Sequence, residues 1–258
     1  MKKALIDVVF TSKKRMSVLL FLQDGAKEMN TLLNLLKTSR QSLLPQIKIL
    51  EEHHLVIHYD DTYELTTIGK LIVEYMVPLI SETEVLDIDI DYWGSRNLDF
   101  IPSHLLEKIG ELRNCEIINP PLAELYSFHK SLNPDFKVSS TAYTITNFLF
   151  PNFEEIFAEI LENDMNVHFV VSQELIEKIR KEHSKEFSKL IEHKSFNLYV
   201  YNKKMDFLFF SFDDVHFVLS MLKCNGDFDH KLMVCKSKSA VDWIRELFDY
   251  YLADSTQI

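Results

Sequence analysis

Glycine and cysteine are both scarce in this chain of 258 residues, and each shortage excludes a class of site. The five glycines, at positions 25, 69, 94, 110 and 226, all lie more than ten residues apart. P-loops and dinucleotide fingerprints need closely spaced glycines, so neither nucleotide motif is present. The three cysteines, Cys115, Cys224 and Cys235, are too few and too scattered for a disulfide framework or a zinc site. We expect all three to be small, buried apolar residues.

The chain also lacks a long apolar run. Residues 18–22 form the longest strongly apolar stretch near the start, whereas a membrane-spanning helix needs about 20 such residues. Residues 1–10 are interrupted by Asp7, and no small-residue cleavage site follows, so no signal peptide is predicted. The composition, with 47% hydrophobic and 26% charged residues, is that of a folded protein. We expect a cytoplasmic protein that has no membrane partner.

Positive charge is in short supply, and it is unevenly distributed. The whole chain has a formal net charge of −11. Residues 1–80 hold 10 Lys and Arg against 9 Asp and Glu, whereas the remaining residues carry a net charge of −12. An acidic body repels nucleic acid, so any contact with a polyanion is predicted to lie within residues 1–80.

The front of the chain alternates apolar helical patterns with turn residues. A hairpin with its turn at "DD" follows four helical patterns, and a further helix follows the hairpin. This order predicts a winged helix-turn-helix over residues 1–80. The predicted helices span residues 5–10, 13–22, 27–37, a segment within 39–56 and 68–80, and the predicted strands span 55–59 and 63–66.

The stretch "SRQSLLPQIKILEEHHLV", residues 39–56, occupies the position of the recognition helix. Leu43, Ile47 and Leu50 recur at helical spacing and predict a buried edge. Pro45 lacks a backbone donor and is best tolerated in the first turn of a helix. We therefore expect the regular helix to begin near Ser42; the alternative is a helix from Ser39 that bends at Pro45.

The other edge of this stretch carries amide, hydroxyl and basic side chains. Arginine can bind guanine through two donors, glutamine can pair with adenine, and lysine and serine suit phosphates. We predict that this edge contacts double-stranded DNA; the alternative is a solvated face of an ordinary amphipathic helix. The predicted DNA-binding residues are Ser39, Arg40, Gln41, Ser42, Gln46 and Lys48. The basic run at residues 13–15 either lies near the DNA backbone or forms a solvated helix start.

The tip of the predicted wing is acidic. Asp60 and Asp61 stand where DNA-binding wings usually carry Lys, Arg or Gly, and phosphates repel carboxylates. Residues 1–80 have a net charge of only +1, although DNA-binding domains are usually visibly basic. These features keep a second hypothesis open, in which the protein is an interaction adaptor that retains a winged fold without binding DNA.

The back of the chain alternates strands with helices, so we expect a mixed sheet covered by helices. The overall prediction is an α+β or α/β protein, with a winged helix-turn-helix followed by an α/β domain. Residues 81–100 are predicted to be a linker or dimerisation helix, and residues 101–258 a sensor or dimerisation domain. The predicted strands span residues 115–119, 167–171, 198–201, 207–212, 215–222 and 231–235, and the predicted helices 104–112, 122–132, 152–163, 174–193 and 240–252.

Several ordered segments resemble one family of regulators. "SKKRMSVLLFLQDG", "SLLPQIKILEEHHLV" and "YELTTIGKLIV" are similar to prokaryotic winged-helix transcription regulators. "WGSRNLDFIPSHLLEKIGEL" and "GDFDHKLMVCKSKSAVDWIRELFDYYLADS" resemble the two ends of the middle domain found in archaeal regulators and first named for methanogenesis regulation. The resemblance implies a homodimeric, DNA-binding transcription regulator whose second domain senses a small-molecule effector.

Effector contacts are expected where aromatic and polar residues mix, as in "STAYTITNFLF". The candidate residues are Trp93, Tyr143, Thr144 and Asn147. Such mixtures also occur in ordinary core strands.

No catalytic or metal constellation was found in the sequence. "HSK" at residues 183–185 has the HxK spacing of phospholipase-D-type catalysis but has Leu190 where that motif needs aspartate. The histidines at positions 53, 54 and 58 should be splayed by a helix end, and "DFDH" at residues 227–230 reads as a hairpin tip. We expect a protein that is not an enzyme and holds no cofactor or metal; a hydrolase with a winged appendage is a minor third hypothesis.

Overall fold

A computed structural model describes residues 3–121, 141–162 and 165–258. The chain divides into two compact units, Met1–Ile80 and Ser81–Ile258, which we call the N-terminal and C-terminal units. The helix predicted for residues 122–132 lies outside the described residues.

The N-terminal unit has the element order of a winged helix-turn-helix. Its three-stranded antiparallel sheet has the strand order β1-β3-β2, and the hairpin of β2 and β3 is the wing. The elements are α1 (Leu5–Phe10), α2 (Lys13–Phe21), β1 (Lys27–Glu28), α3 (Met29–Leu36), α4 (Arg40–Glu52), β2 (Val56–Tyr59), β3 (Thr62–Leu65) and the start of α5 (Thr67–Asp87).

Helix α4 begins close to the alternative start at Ser39, with Ser39 as its N-cap residue, and earlier than the expected start near Ser42. It starts at Arg40 rather than near Ser42, and Pro45 lies in its second turn. Proline lacks the N–H that would bond to the carbonyl of Gln41. Both Gln41 and Pro45 are exposed, so water can satisfy that carbonyl. The predicted buried edge is confirmed, because Leu43, Ile47 and Leu50 are fully buried.

Helix α5 packs very closely against the backbone of Leu55, the residue just before β2. The hydroxyl of Thr66 caps this helix by accepting the amide of Gly69 at 3.0 Å. A Cβ atom at Gly69 would lie 2.0 Å from the carbonyl oxygen of Leu55. Only glycine therefore permits this close approach of two backbone segments.

The C-terminal unit is built on an eight-stranded mixed sheet with the order β11-β7-β6-β5-β8-β9-β10-β4. Strands β5, β6 and β7 are parallel, and the other neighbours are antiparallel. The strands are β4 (Glu116–Ile118), β5 (Thr141–Thr146), β6 (Asn166–Val171), β7 (Phe196–Tyr201), β8 (Phe209–Phe212), β9 (Phe217–Ser220), β10 (Leu232–Cys235) and β11 (Ser255–Gln257).

Helices cover both faces of this sheet, which confirms the predicted fold class. One face packs on a cluster that includes Trp243 and Phe248, and the other on a cluster that includes Ile179 and Phe187. The helices are α6 (Ile90–Ser95), α7 (Ser103–Leu106), a 3-10 helix (Ile109–Leu112), α8 (Phe153–Glu162), α9 (Gln173–Glu182), α10 (Ser184–Ile191) and α11 (Lys238–Ala253).

Residues 81–100 contribute to the core of the C-terminal unit. Val85, Tyr92, Trp93 and Phe100 are buried in the cluster that also contains Trp243. The indole N–H of Trp93 donates to the carbonyl of Val85 at 2.9 Å. These residues were predicted from the sequence to form a linker or dimerisation helix, and the structure places four of their side chains in a packed core.

The cysteines do not share one environment. Cys115 and Cys235 are buried as expected, but Cys224 is exposed, so that expectation was wrong for Cys224. Cys224 lies in the turn after β9, where its thiol donates to the carbonyl of Arg96 at 3.2 Å. Within the described residues, no helix is both long and apolar enough to cross a membrane.

Candidate nucleic-acid interface

The exposed face of α4 is the first part of the candidate interface. Gln41, Pro45, Lys48 and Glu52 are all exposed and follow one another at helical spacing. This row lies opposite the buried edge of α4. The predicted residues Gln41 and Lys48 therefore share one solvent-facing surface.

The structure gives Gln46 a different environment. Its Oε1 accepts a hydrogen bond from Arg15 Nη1 at 2.8 Å and another from the hydroxyl of Ser12 at 3.2 Å. Pairing with adenine requires glutamine to accept through Oε1 and donate through Nε2. Since Oε1 is already engaged, only the Nε2 donor of Gln46 is left for an outside partner.

Arg15 is a buried structural residue, although its sequence context suggested a DNA contact or a solvated helix start. Its side chain also donates through Nε to the carbonyl of Val8, and through Nη2 to Thr11 Oγ1 at 2.9 Å and to the carbonyl of Asp7 at 3.2 Å. Because buried charge is costly unless it is fully hydrogen-bonded, these acceptors explain how the guanidinium is tolerated. Neither prediction for residues 13–15, a contact with the DNA backbone or a solvated helix start, is therefore correct for Arg15.

Two further predicted residues lie at the start of α4. The hydroxyl of Ser42 accepts a hydrogen bond from the ammonium group of Lys14, which brings a cation from α2 beside α4. Ser39 is exposed, and its carbonyl accepts the amides of Ser42 and Leu43 at 3.1 and 3.0 Å. Hydroxyl groups, a lysine and a helix start are the groups that proteins use to bind phosphates.

Arg40 forms an ion pair with the tip of the wing. Its Nη1 donates to Asp61 Oδ2 at 3.1 Å and its Nη2 donates to Asp61 Oδ1 at 2.6 Å. The hydrogen bond and charge of Asp61 raise the pKa of Arg40 above its ordinary value. The pair is exposed, with 52% of the Arg40 side chain and 45% of the Asp61 side chain accessible. The arginine predicted to read a base is thus held by a carboxylate in the protein itself.

A second side-chain contact joins α4 to the wing. His58 on β2 contacts the carboxylate of Glu51 through Nδ1 and stacks on Tyr63 with ring centroids 5.4 Å apart. His53 instead lies 2.8 Å from the carbonyl of Ile49. His53 and His58 thus have separate partners, and no three His, Cys, Asp or Glu residues of the described chain are arranged to hold a metal.

The four effector candidates lie at different places in the C-terminal unit. Trp93 is buried in the core. Tyr143 and Thr144 are neighbours on β5 and point to opposite faces of the sheet, because strand side chains alternate. Thr144 bonds to the hydroxyl of Ser211 at 2.9 Å, and the amide of Asn147 donates to the carbonyl of Phe207 at 2.7 Å. The structure does not bring these four side chains together on one surface.

Tyr143 belongs to a row of stacked rings across four strands. Its ring lies 4.7 Å from that of Phe212 and 5.1 Å from that of His168, and His168 stacks in turn on Tyr199. The guanidinium of Arg245 on α11 lies 4.9 Å from the Tyr143 ring centroid. Burial lowers the pKa of His168. We call these five residues the aromatic row; the pairing of four strands brings its four rings together, which no local pattern in the sequence indicated.

The motifs "DFDH" and "HSK" make contacts within the folded chain. Asp229 of "DFDH" accepts a hydrogen bond from the buried Arg96 at 2.7 Å, and Asp227 accepts one from the amide of Asn225 at 2.7 Å. His183 of "HSK" packs edge-on against Phe153 with ring centroids 4.9 Å apart. Both motifs therefore contribute to local packing and turns.

Comparison with known proteins identifies the family. The family model of the FilR1 methanogenesis regulatory protein N-terminal domain matches residues 3–84, and that of its middle domain matches residues 125–254. The chain belongs to the family of methanogenesis regulatory proteins typified by FilR1. This confirms the resemblance to archaeal winged-helix regulators that the sequence indicated.

Individual relatives are distant. Methanogenesis regulatory protein FilR1 of Methanothrix harundinacea strain 6Ac is 22% identical over 98% of this chain, and this chain spans 58% of the length of that relative. Among solved structures, TrmBL2, described as an archaeal chromatin protein with a novel mode of DNA binding, matches with 12% identity and a TM-score of 0.43, covering 96% of this chain and 95% of its own. The methyltransferase CalO1 with bound SAH matches with 13% identity and a TM-score of 0.21, and the match covers 67% of this chain and 59% of the CalO1 chain.

Proposed function

We propose that this protein is a DNA-binding transcription regulator that acts as a homodimer and responds to a small-molecule effector. The observation that carries the proposal is the placement of α4. Its apolar edge is fully buried on the helices before it, while Gln41 and Lys48 face solvent on the opposite side. A helix held in this way can enter the major groove of DNA without rearrangement of the domain. Membership of a family of regulators supports the same function.

DNA binding is tested with the purified chain and a library of genomic fragments. Fragments retained by the protein are compared with scrambled duplexes of equal length over a range of salt concentrations. Each phosphate contact changes the slope of log affinity against log salt by about 0.9. We expect Lys48→Ala to weaken binding to all duplexes and to reduce the magnitude of this slope by about that amount.

Lys70→Ala is the matched control for Lys48→Ala. Lys70 is also an exposed lysine of the N-terminal unit, but it lies on α5. We expect the control variant to retain the slope of the wild type. A wild-type protein that prefers no duplex, with or without extracted cellular small molecules, would exclude the regulator function.

The homodimer is supported by an unpartnered apolar stripe on α5. Ile68, Leu71, Tyr75 and Leu79 are all about half exposed or more. Their spacing places them on one helix face, over about 16 Å at 1.5 Å per residue. Two copies of such a stripe can cover each other about a two-fold axis, which would present two α4 helices to a palindromic site.

The effector function is supported by the aromatic row. Tyr143, His168 and Tyr199 are only partly buried, and Arg245 lies over the first of these rings. Partly exposed aromatic faces beside a cation suit a small ligand that combines an apolar portion with an anionic group. A ligand that binds only the folded state raises the unfolding temperature, and the increase grows with the logarithm of the ratio of ligand concentration to dissociation constant.

Cell extracts fractionated by size provide the probe for this function. We expect a small-molecule fraction to raise the unfolding temperature of the wild type and to have a smaller effect on Arg245→Gln. Lys238→Gln is the control, because it removes one exposed positive charge from the same helix. Equal shifts for all three proteins would exclude the aromatic row as the effector site.

Two observations favour a second candidate function, that of a protein-interaction adaptor. The Arg40–Asp61 pair occupies the arginine that would otherwise contact DNA, and the N-terminal unit carries little net charge. An adaptor of this kind would show no sequence-selective DNA binding at low salt. The fragment selection described above therefore distinguishes the two functions.

A further inference from the structure

The carboxylate of Asp61 occupies the same donors of Arg40 that DNA would need. Both terminal nitrogens of the guanidinium donate to the two carboxylate oxygens, at 3.1 and 2.6 Å. Arginine binds the O6 and N7 atoms of guanine, or two phosphate oxygens, through pairs of N–H donors of this kind. The carboxylate and the DNA are therefore competitors for one group.

The competing carboxylate is held in place by the fold. The carbonyl of Asp61 accepts the amide of Met29 at 2.9 Å, which joins the wing to the start of α3. Strands β1 and β3 pair beside it, with Glu28 opposite Thr62. The contact between Glu51 and His58 ties β2, the other strand of the hairpin, to α4. Asp61 thus stays beside Arg40, whereas Asp60 at the same tip has no such main-chain tie among the hydrogen bonds of the described residues.

We propose that Asp61 is a selectivity residue, which competes with DNA for Arg40 and thereby suppresses binding to duplexes that offer this arginine only a phosphate. The proposal rests on the proposed DNA-binding function. A phosphate in place of Asp61 gives Arg40 an equivalent anionic partner but leaves the displaced carboxylate beside another negative charge. The edge of guanine carries no net charge, so it displaces Asp61 without that repulsion.

The exposure of the pair determines the size of the expected effect. Exposed ion pairs contribute little, because water and salt screen them. DNA can therefore open the Arg40–Asp61 pair at modest cost. Removing the carboxylate should tighten binding to scrambled duplexes by roughly two- to five-fold, which corresponds to the usual strength of an exposed pair.

The experiment compares Asp61→Asn with Asp60→Asn on selected and scrambled duplexes. Each variant removes one negative charge from the wing tip, but only Asp61 contacts Arg40. Asp60 has a φ angle of 53°, a conformation that asparagine tolerates well, so the control variant should fold normally. We expect Asp61→Asn to tighten binding to scrambled duplexes two- to five-fold beyond the effect of Asp60→Asn, and to lower the ratio of selected to scrambled affinity.

The same pair of variants in an Arg40→Gln background completes the test. If Asp61 acts by occupying Arg40, then in the Arg40→Gln background Asp61→Asn should change the affinity no more than Asp60→Asn does. If Asp61→Asn and Asp60→Asn change the affinity equally while Arg40 is present, the proposal is overturned, because any negative charge on the wing would then have the same effect. Weaker binding of Asp61→Asn to the selected duplex alone would also overturn it, because Asp61 would then position Arg40 for the base.

The failure of this proposal is distinguishable from that of the proposed function. If neither the wild type nor any variant prefers a duplex, DNA binding itself is excluded. If the wild type binds selectively and Asp61→Asn behaves like the wild type on both duplexes, only the role of Asp61 is excluded. Unfolding of all the proteins in urea without DNA shows that the variants compared are folded.

Discussion

Arg15 donates a hydrogen bond to Gln46 across 2.8 Å and so joins the start of α2 to the middle of α4. The guanidinium is buried, while the glutamine lies on the flank of the helix that is proposed to contact DNA. The contact fixes the rotation of α4 about its axis, and with it the direction in which Gln41 and Lys48 face. A polar side chain on this helix can therefore affect DNA binding by holding the helix in place.

The first prediction tests the structural role of Gln46 as an acceptor for Arg15. Gln46→Ala removes an acceptor from the buried Arg15, so we expect the free energy of unfolding to fall by about 1–2 kcal/mol. Gln46→Glu retains an oxygen for Arg15 and should keep the stability of the wild type within about 0.5 kcal/mol. Urea unfolding measures both variants. Equal destabilisation by the two would show that the Oε1 acceptor is not what matters at this position.

The second prediction concerns the close approach at the start of α5. Gly69→Ala forces a methyl group against the carbonyl of Leu55, and we expect a loss of about 1–3 kcal/mol in the free energy of unfolding. Gly94→Ala in α6 is the control, because a Cβ there meets no atom of the described chain within 4 Å. Removing a helical glycine should leave stability unchanged or raise it by about 0.5–1 kcal/mol. Thermal unfolding of both variants tests the contrast.

The third prediction concerns the buried Arg96 and its partner Asp229. Asp229→Asn leaves the fully buried guanidinium without its charged partner, so we expect a loss of about 2–3 kcal/mol at pH 7. Asp227→Asn, two residues away at the exposed turn, should have little effect. A loss in the control as large as that of Asp229→Asn would show that the turn, not the ion pair, is the source of the stability.

The pH dependence of this pair follows from the direction of its pKa shift. Burial of the Asp229 carboxyl opposes ionisation, but the hydrogen bond and charge of Arg96 outweigh it and lower the pKa. A depressed folded pKa means that the stabilisation is present above the unfolded value, about 3.9, and is lost as the pH falls through the folded value. The difference between the wild type and Asp229→Asn should therefore narrow below about pH 4, as measured by urea unfolding at several pH values.

The fourth prediction tests the apolar stripe of α5. Tyr75 has 72% of its surface exposed, so Tyr75→Glu should change the stability of the folded chain by less than about 0.5 kcal/mol. It should nevertheless dissociate the proposed dimer, because it would place two carboxylates in an apolar contact. Sedimentation equilibrium measures the association. Tyr59→Glu is the control, since Tyr59 is 69% exposed but lies on β2, away from the stripe; if it dissociates the dimer equally, the interface includes the wing.

Local patterns in the sequence were sufficient for most of the helices. The spacing of Leu43, Ile47 and Leu50 predicts the buried edge of α4, because the helical period alone places them on one face. Caps were less predictable, since two hydroxyl residues often stand near one helix start. At the start of α11, for example, both Ser237 and Ser239 stand close to Ala240 in the chain, and it is Ser237 that accepts its amide.

Sequence patterns did not predict a strand that depends on a distant partner. The "STQ" segment of β11 shows no alternation of apolar residues, yet it pairs antiparallel with β7, more than fifty residues earlier. Backbone hydrogen bonds to β7, together with a side-chain contact between Thr256 and Asn202, hold it on the sheet edge. Period-2 patterns predict half-buried strands and therefore miss an edge strand whose side chains are mostly exposed.

By itself, the sequence determined the element order of the winged helix-turn-helix, the mixed α/β character of the second unit and the apolar edge of α4. These features follow from helical and strand periodicity, which acts over a few neighbouring residues. Only the tertiary structure decided which polar residues of the recognition region remain available. Arg15 reaches Gln46 across 31 positions and Arg40 reaches Asp61 across 21. Contacts at that separation exist only after helices and wing have docked, because docking sets the direction in which each charged side chain points.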